Sequence, residues 1–260
     1  MKTIFFMAGL PRSGATLLSS ILNQNPNLYV SPQTDLLWQM TMLHKNMLQS
    51  ETYQLGQLHA GYTNVLSKLP QNFYEHIDPP VIIDKNRSWG TPDNIKLAAM
   101  VNSNIKIIAP YRSLIEVLAS FIRQCESNPG KNYIDKNIAN TNYMHNKSIN
   151  DARCEWLIDN ELKHNIESLK YIKLNKLGLL IEYNEIVFNT KNVIDSIYDY
   201  LNIELYEHNL LKIISTESYK DLEVYGLPNL HNVRQIIAKE QYDINDYVSL
   251  FIQNKYKGLL

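Results

Sequence analysis

The sequence predicts an α/β fold: a mainly parallel sheet with helices on both faces and a helical insertion. Four short apolar runs carry that reading: Thr3–Ala8, Val81–Asp84, Ile105–Pro110 and Leu177–Glu182. They are continuous rather than alternating, as strands buried on both faces are. Each is followed by helical periodicity, the alternation that builds parallel crossovers. The first run also turns through a glycine-bearing loop directly into an amphipathic stretch from Ala15 to about Gln24. At 260 residues the chain suits one domain, 1–260, with a core large enough to need no metal or disulfide staple.

The remaining elements follow in order. Leu28–Val30 reads as a short fifth strand, and Gln33 to about Ser67 as mostly helical, broken near Ser50–Thr52. Thr91-Pro92-Asp93 supplies an N-cap hydroxyl and then Pro at the first helical position. Ser113-Leu114-Ile115-Glu116 has the form of a capping box, so a helix should run from there to about Cys125. Ser148 to about Ser168, Glu185 to about Leu201 and Asn245 to Tyr256 read as further helices. Two stretches, 126–147 and 216–232, lack periodicity, and long loops of this kind are often functional.

Net charge is −1, which argues against non-specific nucleic-acid binding and against a polybasic membrane anchor. Cys125 and Cys154 have no metal-ligand spacing with a His and suit a reducing compartment. No apolar stretch approaches a membrane span, and the N-terminal run is too short for a signal peptide. A soluble, cytoplasmic protein is expected. Lys is the usual cation here, and Arg occurs only at positions 12, 87, 112, 123, 153 and 234. Four of those six fall in or beside candidate anion motifs, where the planar, permanently charged fork outperforms Lys.

The loop after the first strand is the most informative segment. Gly9 and Gly14 stand five apart, as in a phosphate-binding loop, and Thr16 occupies the hydroxyl position. The Lys that a nucleoside triphosphatase places before that hydroxyl is replaced by Ala15, and the cation lies inside the loop at Arg12. This is an anion cradle at a helix N-terminus without the arrangement for splitting ATP with magnesium.

Residues 9–18, Gly-Leu-Pro-Arg-Ser-Gly-Ala-Thr-Leu-Leu, closely resemble the 5′-phosphosulfate loop of sulfotransferases that use 3′-phosphoadenosine-5′-phosphosulfate (PAPS). The likeness is greatest to the branch of tyrosylprotein sulfotransferases and their bacterial relatives. It implies a P-loop-type sheet, PAPS as co-substrate, adenosine 3′,5′-bisphosphate (PAP) as product, and no metal. By the same resemblance Arg12 and residues Ser13, Gly14, Ala15 and Thr16 would hold the 5′-phosphosulfate. Arg112, with Ser120 eight residues on, matches the 3′-phosphate site, and Lys85, closing the strand from Val81, matches the catalytic Lys. Tyr183 matches a Tyr-Glu-like element near the adenine or 3′-phosphate, and Arg234 a C-terminal loop that closes over the donor.

The general base matches least well. Gln33 stands where the tyrosylprotein branch has a Glu, so Asp35 becomes the candidate, with His44 and His59 as alternatives. The expected catalytic set is Lys85, Asp35 and Arg12. Arg87 is a further candidate for an acceptor anion and Trp89 for packing, while His231 reads as a loop histidine with satisfied bonds. The expected reaction is in-line sulfuryl transfer to a hydroxyl or amine of a small-molecule, saccharide or peptide acceptor. A non-catalytic PAP binder, favoured by Gln33, and a P-loop nucleotide kinase, disfavoured by Ala15, are the competing readings.

Overall fold

The computed structural model describes residues 2–56, 59–139, 141–145, 147–216, 220–228 and 230–260. Positions 57–58 of the expected helical stretch and Asn229 of the C-terminal loop lie outside the described residues. Five strands form one sheet: β1 (Thr3–Met7), β2 (Leu28–Gln33), β3 (Val81–Lys85), β4 (Ile107–Tyr111) and β5 (Leu179–Glu182). Their order is β2-β3-β1-β4-β5, with every pair parallel. The first strand is therefore central and must bury both faces, which explains its continuous apolar run. Ile4, Phe6 and Ala8 point into one core, and Phe5 and Met7 into the other.

Helices cover both faces. On one side lie α1 (Ala15–Leu22) and, late in the chain, two further helices that pack beside it. The other side carries α2 (Leu36–Gln49), α3 (Glu51–Gln54), α4 (His59–Phe73), α5 (Pro92–Val101) and α6 (Leu114–Glu126). Beyond them come α7 (Tyr133–Ile138), α8 (Ile149–Trp156), a π-helical segment Leu157–Leu162, and α9 (Lys163–Asn175). Then follow α10 (Tyr183–Phe188) and α11 (Thr190–Leu201), whose Ile186, Ile194 and Ile197 join α1 in its core. The one-turn α12 (Asp221–Val224) and α13 (Leu250–Lys255) complete the chain.

Several expectations are corrected. Gln33 ends β2 instead of opening a helix, paired in register with Lys85. The register of β2 shifts between Val30 and Gln33, where Pro32 has no N–H to donate. The buried Ser31 Oγ accepts the N–H of Lys85 at 2.9 Å and so replaces a ladder bond. Thr91 and Ser113 do precede helices, but neither hydroxyl bonds the first turn. Segment 126–147 contains α7, capped by Asn132 accepting the N–H of Asp135 at 2.9 Å. The helix expected to end near Ser168 continues to Asn175 through the π-helical turn, and the 185–201 stretch breaks at Asn189.

Candidate active site

A cavity of about 740 Å³ opens at the carboxyl ends of the strands, where ligands bind in open parallel sheets. Its walls include Arg12, Gly14, Ala15, Thr16, Asp35, Lys85, Arg112, Ser120, Tyr183 and Arg234. Ser13, expected in the loop that holds the donor, turns its side chain inward, its Oγ reaching the Pro11 carbonyl at 3.5 Å. Only its backbone can serve a ligand. Five of the chain's six arginines line this one cavity; the sixth, Arg153, is buried against Asp135 at 2.6 Å.

Local backbone geometry shows why the glycines are there. The β1–β4 ladder continues beyond the strands, with Ala8 and Leu10 N–H groups donating to Ile108 and Pro110 carbonyls at 2.8 and 3.1 Å. Gly9, at φ +104°, passes so close to β4 that a Cβ would stand 2.2 Å from the Pro110 oxygen. Gly14, at φ +84°, backs onto the Tyr183 ring, 3.2 Å from where a Cβ would be. Arg12 is itself left-handed, φ 60°, an unusual conformation for a residue with a side chain.

That conformation sends the Arg12 guanidinium across the cavity. Its Nε donates to Ser120 Oγ at 3.0 Å, and one terminal nitrogen donates to the Leu230 carbonyl. Burial, and then the charge of Arg112, lower its pKa to about 10. Arg112 lies with its guanidinium carbon 4.2 Å from the Tyr183 ring centroid. Its terminal nitrogens reach Glu116 (3.4 Å), Tyr242 (3.3 Å) and the Arg12 carbonyl (3.5 Å), while Nε is buried with no hydrogen-bond partner. Arg12, Arg112 and Ser120 thus form one cluster. A buried guanidinium beside a half-buried one, with an unsatisfied donor between them, is costly unless an anion joins them.

Lys85 ends β3 and is buried at the cavity floor beside Gln33. Its neighbour Asp84 is fully buried and accepts hydrogen bonds from Thr34 (2.9 Å), Tyr74 and Trp89 Nε1 (2.6 Å). Burial pushes the Asp84 carboxyl upward while those three donors pull it down. The Asp84 network fixes Thr34, whose Oγ accepts the N–H of Leu36 at 3.3 Å, and so sets the turn carrying Gln33 and Asp35. Asp35 is exposed at the cavity wall, at the N-cap of α2, where its carboxylate makes no cap bond. Trp89 packs on Phe6, ring centroids 4.3 Å apart, in the packing role expected of it. His44 and His59 do not line the cavity.

Sequence reasoning missed Arg123, Tyr133, Glu161 and Tyr225 on the cavity wall. Arg123 stands one helical turn after Ser120 on α6, a spacing that could have revealed it, and shares Glu240 with Arg234. Tyr133, Tyr225, Glu161 and His231 line the far end with Arg87. Glu161 sits on the π-helical turn, exposed to the cavity whose walls push its carboxyl upward, an effect opposed by Arg87. His231 Nδ1 pairs with Asp221 at 2.7 Å. Six cations and three carboxylates (Asp35, Glu161, Glu240) make the lining net positive.

The fold and cavity define a parallel α/β protein with a phosphate-type loop and an arginine-rich anion site. The chain belongs to the sulfotransferase domain family, whose pattern it matches over residues 2–247. It is a sulfotransferase, an enzyme that moves a sulfuryl group. No curated relative matches the sequence. Among solved structures it is similar to the sulfotransferase domain from the curacin biosynthetic pathway, at 16% identity and TM-score 0.52, over 100% of this chain and 92% of that one. It is also similar to a mouse sulfotransferase complexed with PAP, at 13% identity and TM-score 0.53, over 100% of this chain and 82% of that one. At these identities the likeness is one of fold.

Proposed function

We propose that the chain, as one domain, transfers the sulfuryl group of PAPS to a hydroxyl or amine acceptor and releases PAP. The single observation carrying this reading is the Arg12–Arg112–Ser120 cluster, with its unpartnered Arg112 Nε, beside the glycine loop. The loop amides of residues 13–16, Thr16 and Arg12 would hold the 5′-phosphosulfate. Arg112 and Ser120 would hold the 3′-phosphate, with the Arg12 guanidinium bonded to that same Ser120. Tyr183, packed on Arg112, supports a place for the adenine, and Arg234 would close the rim. Lys85 would neutralise the oxygen that sulfur leaves, where charge builds in the transition state.

Two groups that line the cavity can take the acceptor's proton: Asp35 directly, or His231 backed by Asp221. The acceptor is a small molecule, a saccharide or a peptide. Among the described residues no helix is long and apolar enough to cross a membrane. The buried free thiols Cys125 and Cys154 support a cytoplasmic setting. The test is incubation of sulfur-35-labelled PAPS with a mixture of 4-nitrophenol, a tyrosyl peptide and an oligosaccharide. Label in an acceptor, lost in Lys85→Ala, is the expected result; enzyme-independent label alone would sink the proposal.

A further inference from the structure

Resting on the sulfuryl-transfer reading, we infer that the acceptor carries an ammonium group beside its reacting hydroxyl, received by the Glu161 carboxylate among the rings of Tyr133 and Tyr225. The starting point is a charge that does not suit the donor. Lys85 and five arginines line the cavity for a polyanion, and any carboxylate on the same wall repels that polyanion. Three carboxylates stand there nonetheless. Glu240 is neutralised by Arg123 and Arg234, and Asp35 is a candidate for the acceptor's proton. Glu161 has neither use. Among the described residues its carboxylate makes no hydrogen bond and no salt bridge.

The backbone under Glu161 is firmly held. It belongs to the π-helical segment Leu157–Leu162, a wide turn of a kind that recurs at functional sites. Two asparagines brace that turn. Asn160 donates to the Trp156 carbonyl at 2.9 Å, and the buried Asn165 donates to the Glu161 carbonyl at 2.8 Å. The side chain itself stays exposed to the cavity. A carboxylate kept on a braced turn and left without a partner is set out for a ligand, and the polyanionic donor is not that ligand.

Its neighbours are aromatic. The Tyr133 ring lies 5.8 Å from both Trp156 and Tyr225, edge to face, and Tyr225 lies 6.1 Å from the His231 ring. The Tyr225 carbonyl accepts the N–H of Tyr133 at 2.8 Å, which ties the two tyrosines together. Burial, and then the Glu161 charge, hold the Tyr133 phenol above its ordinary range, so its hydroxyl keeps its proton. Rings with a carboxylate beside them favour a cation, through the ring quadrupoles and the ion pair together. Arg87 is the charged group that opposes this, acting on both Glu161 and Tyr133. It does so without a salt bridge to Glu161, whereas a compact ammonium can pair at contact, where the attraction is strongest. The ammonium is a binding group only; sulfur goes to the hydroxyl.

The test compares kcat/KM for two acceptor sets matched in shape and differing in charge. One is tyramine, 4-ethylphenol and 3-(4-hydroxyphenyl)propionate; the other is glucosamine, glucose and glucuronate. Products are identified as O-sulfates by fragmentation in a mass spectrometer. In a set that is turned over, the cationic member should be preferred to the neutral one by about 20-fold, and to the anionic one by more. Added salt should shrink that preference. Glu161→Gln should erase it, and Glu161→Lys should turn it toward the carboxylate-bearing member. A merely structural role for Glu161 would instead lower all members of a set together. Equal use of all members by the wild type, preference for the anionic member, or a uniform loss in Glu161→Gln overturns the inference. So does transfer to none of them by a wild type that binds PAP. Failure of the wild type to bind PAP instead overturns the donor reading beneath it.

Discussion

The two ends of the cavity are built differently. The end beside the glycine loop is made from strand ends and the helices that follow them: β1 into α1, and β4 into α6. Its residues sit in short, contiguous motifs, positioned by the ladder and by close approaches such as Gly9 on Pro110. The rest of the wall is assembled from a π-helical turn, the loop after β3, and residues near Asn128–Tyr133 and Tyr225–Gly226 that bond one another. Side chains there come from positions 87, 133, 161, 225 and 231, with no sequence contiguity. A rigid anion grip is joined to a loop-built wall, so the same sheet can present a constant donor to variable acceptors.

Substitutions can break that contrast at several levels. Lys85→Ala, at the junction of the two ends, should give the largest effect. Single-turnover sulfuryl transfer is expected to fall by about 1,000-fold while PAP affinity changes by less than about tenfold. An equal loss in both would make Lys85 a binding residue instead. Gly9→Val should be the most damaging change to the fold, because the new side chain meets the Pro110 backbone at a positive φ. Loss of about 3 kcal/mol or more in urea unfolding is expected, and near-wild-type stability would refute the close approach.

Arg112→Met should weaken PAP by about 100-fold yet leave 5′-AMP binding nearly unchanged, since the arginine addresses the 3′ end. Arg12→Met should weaken both ligands. The ligand-free Arg12→Met protein should also melt a few degrees higher, because a half-buried guanidinium facing Arg112 has been removed. The sign follows from its depressed pKa: the charged side chain opposes folding at every pH below about 10. The smallest effect belongs to Glu240→Gln. Glu240 pairs with Arg123 and Arg234, so neutralising it should tighten PAP by about threefold by calorimetry.

The same contrast explains what the sequence reveals. Arg12, Arg112, Ser120 and Lys85 are legible because a strand end and a helix start fix their positions locally. The mainly parallel sheet is legible from uninterrupted apolar runs such as Ile4–Ala8, which only a doubly covered strand tolerates. The bulge at Pro32 is not, so Gln33 reads as a helix start although it ends β2. Glu161 faces the cavity from a π-helical turn, which breaks the 3.6-residue period that would have placed it. The Asp221–His231 pair spans ten residues of a segment without periodicity, and nothing in that spacing announces a hydrogen bond.

The most direct test of the anion grip is calorimetric titration of the wild-type protein with PAP and, separately, with 5′-AMP. The account predicts PAP binding at least about 100-fold tighter, with the difference erased in Arg112→Met. Equal affinity for the two nucleotides, unaffected by that substitution, would contradict it.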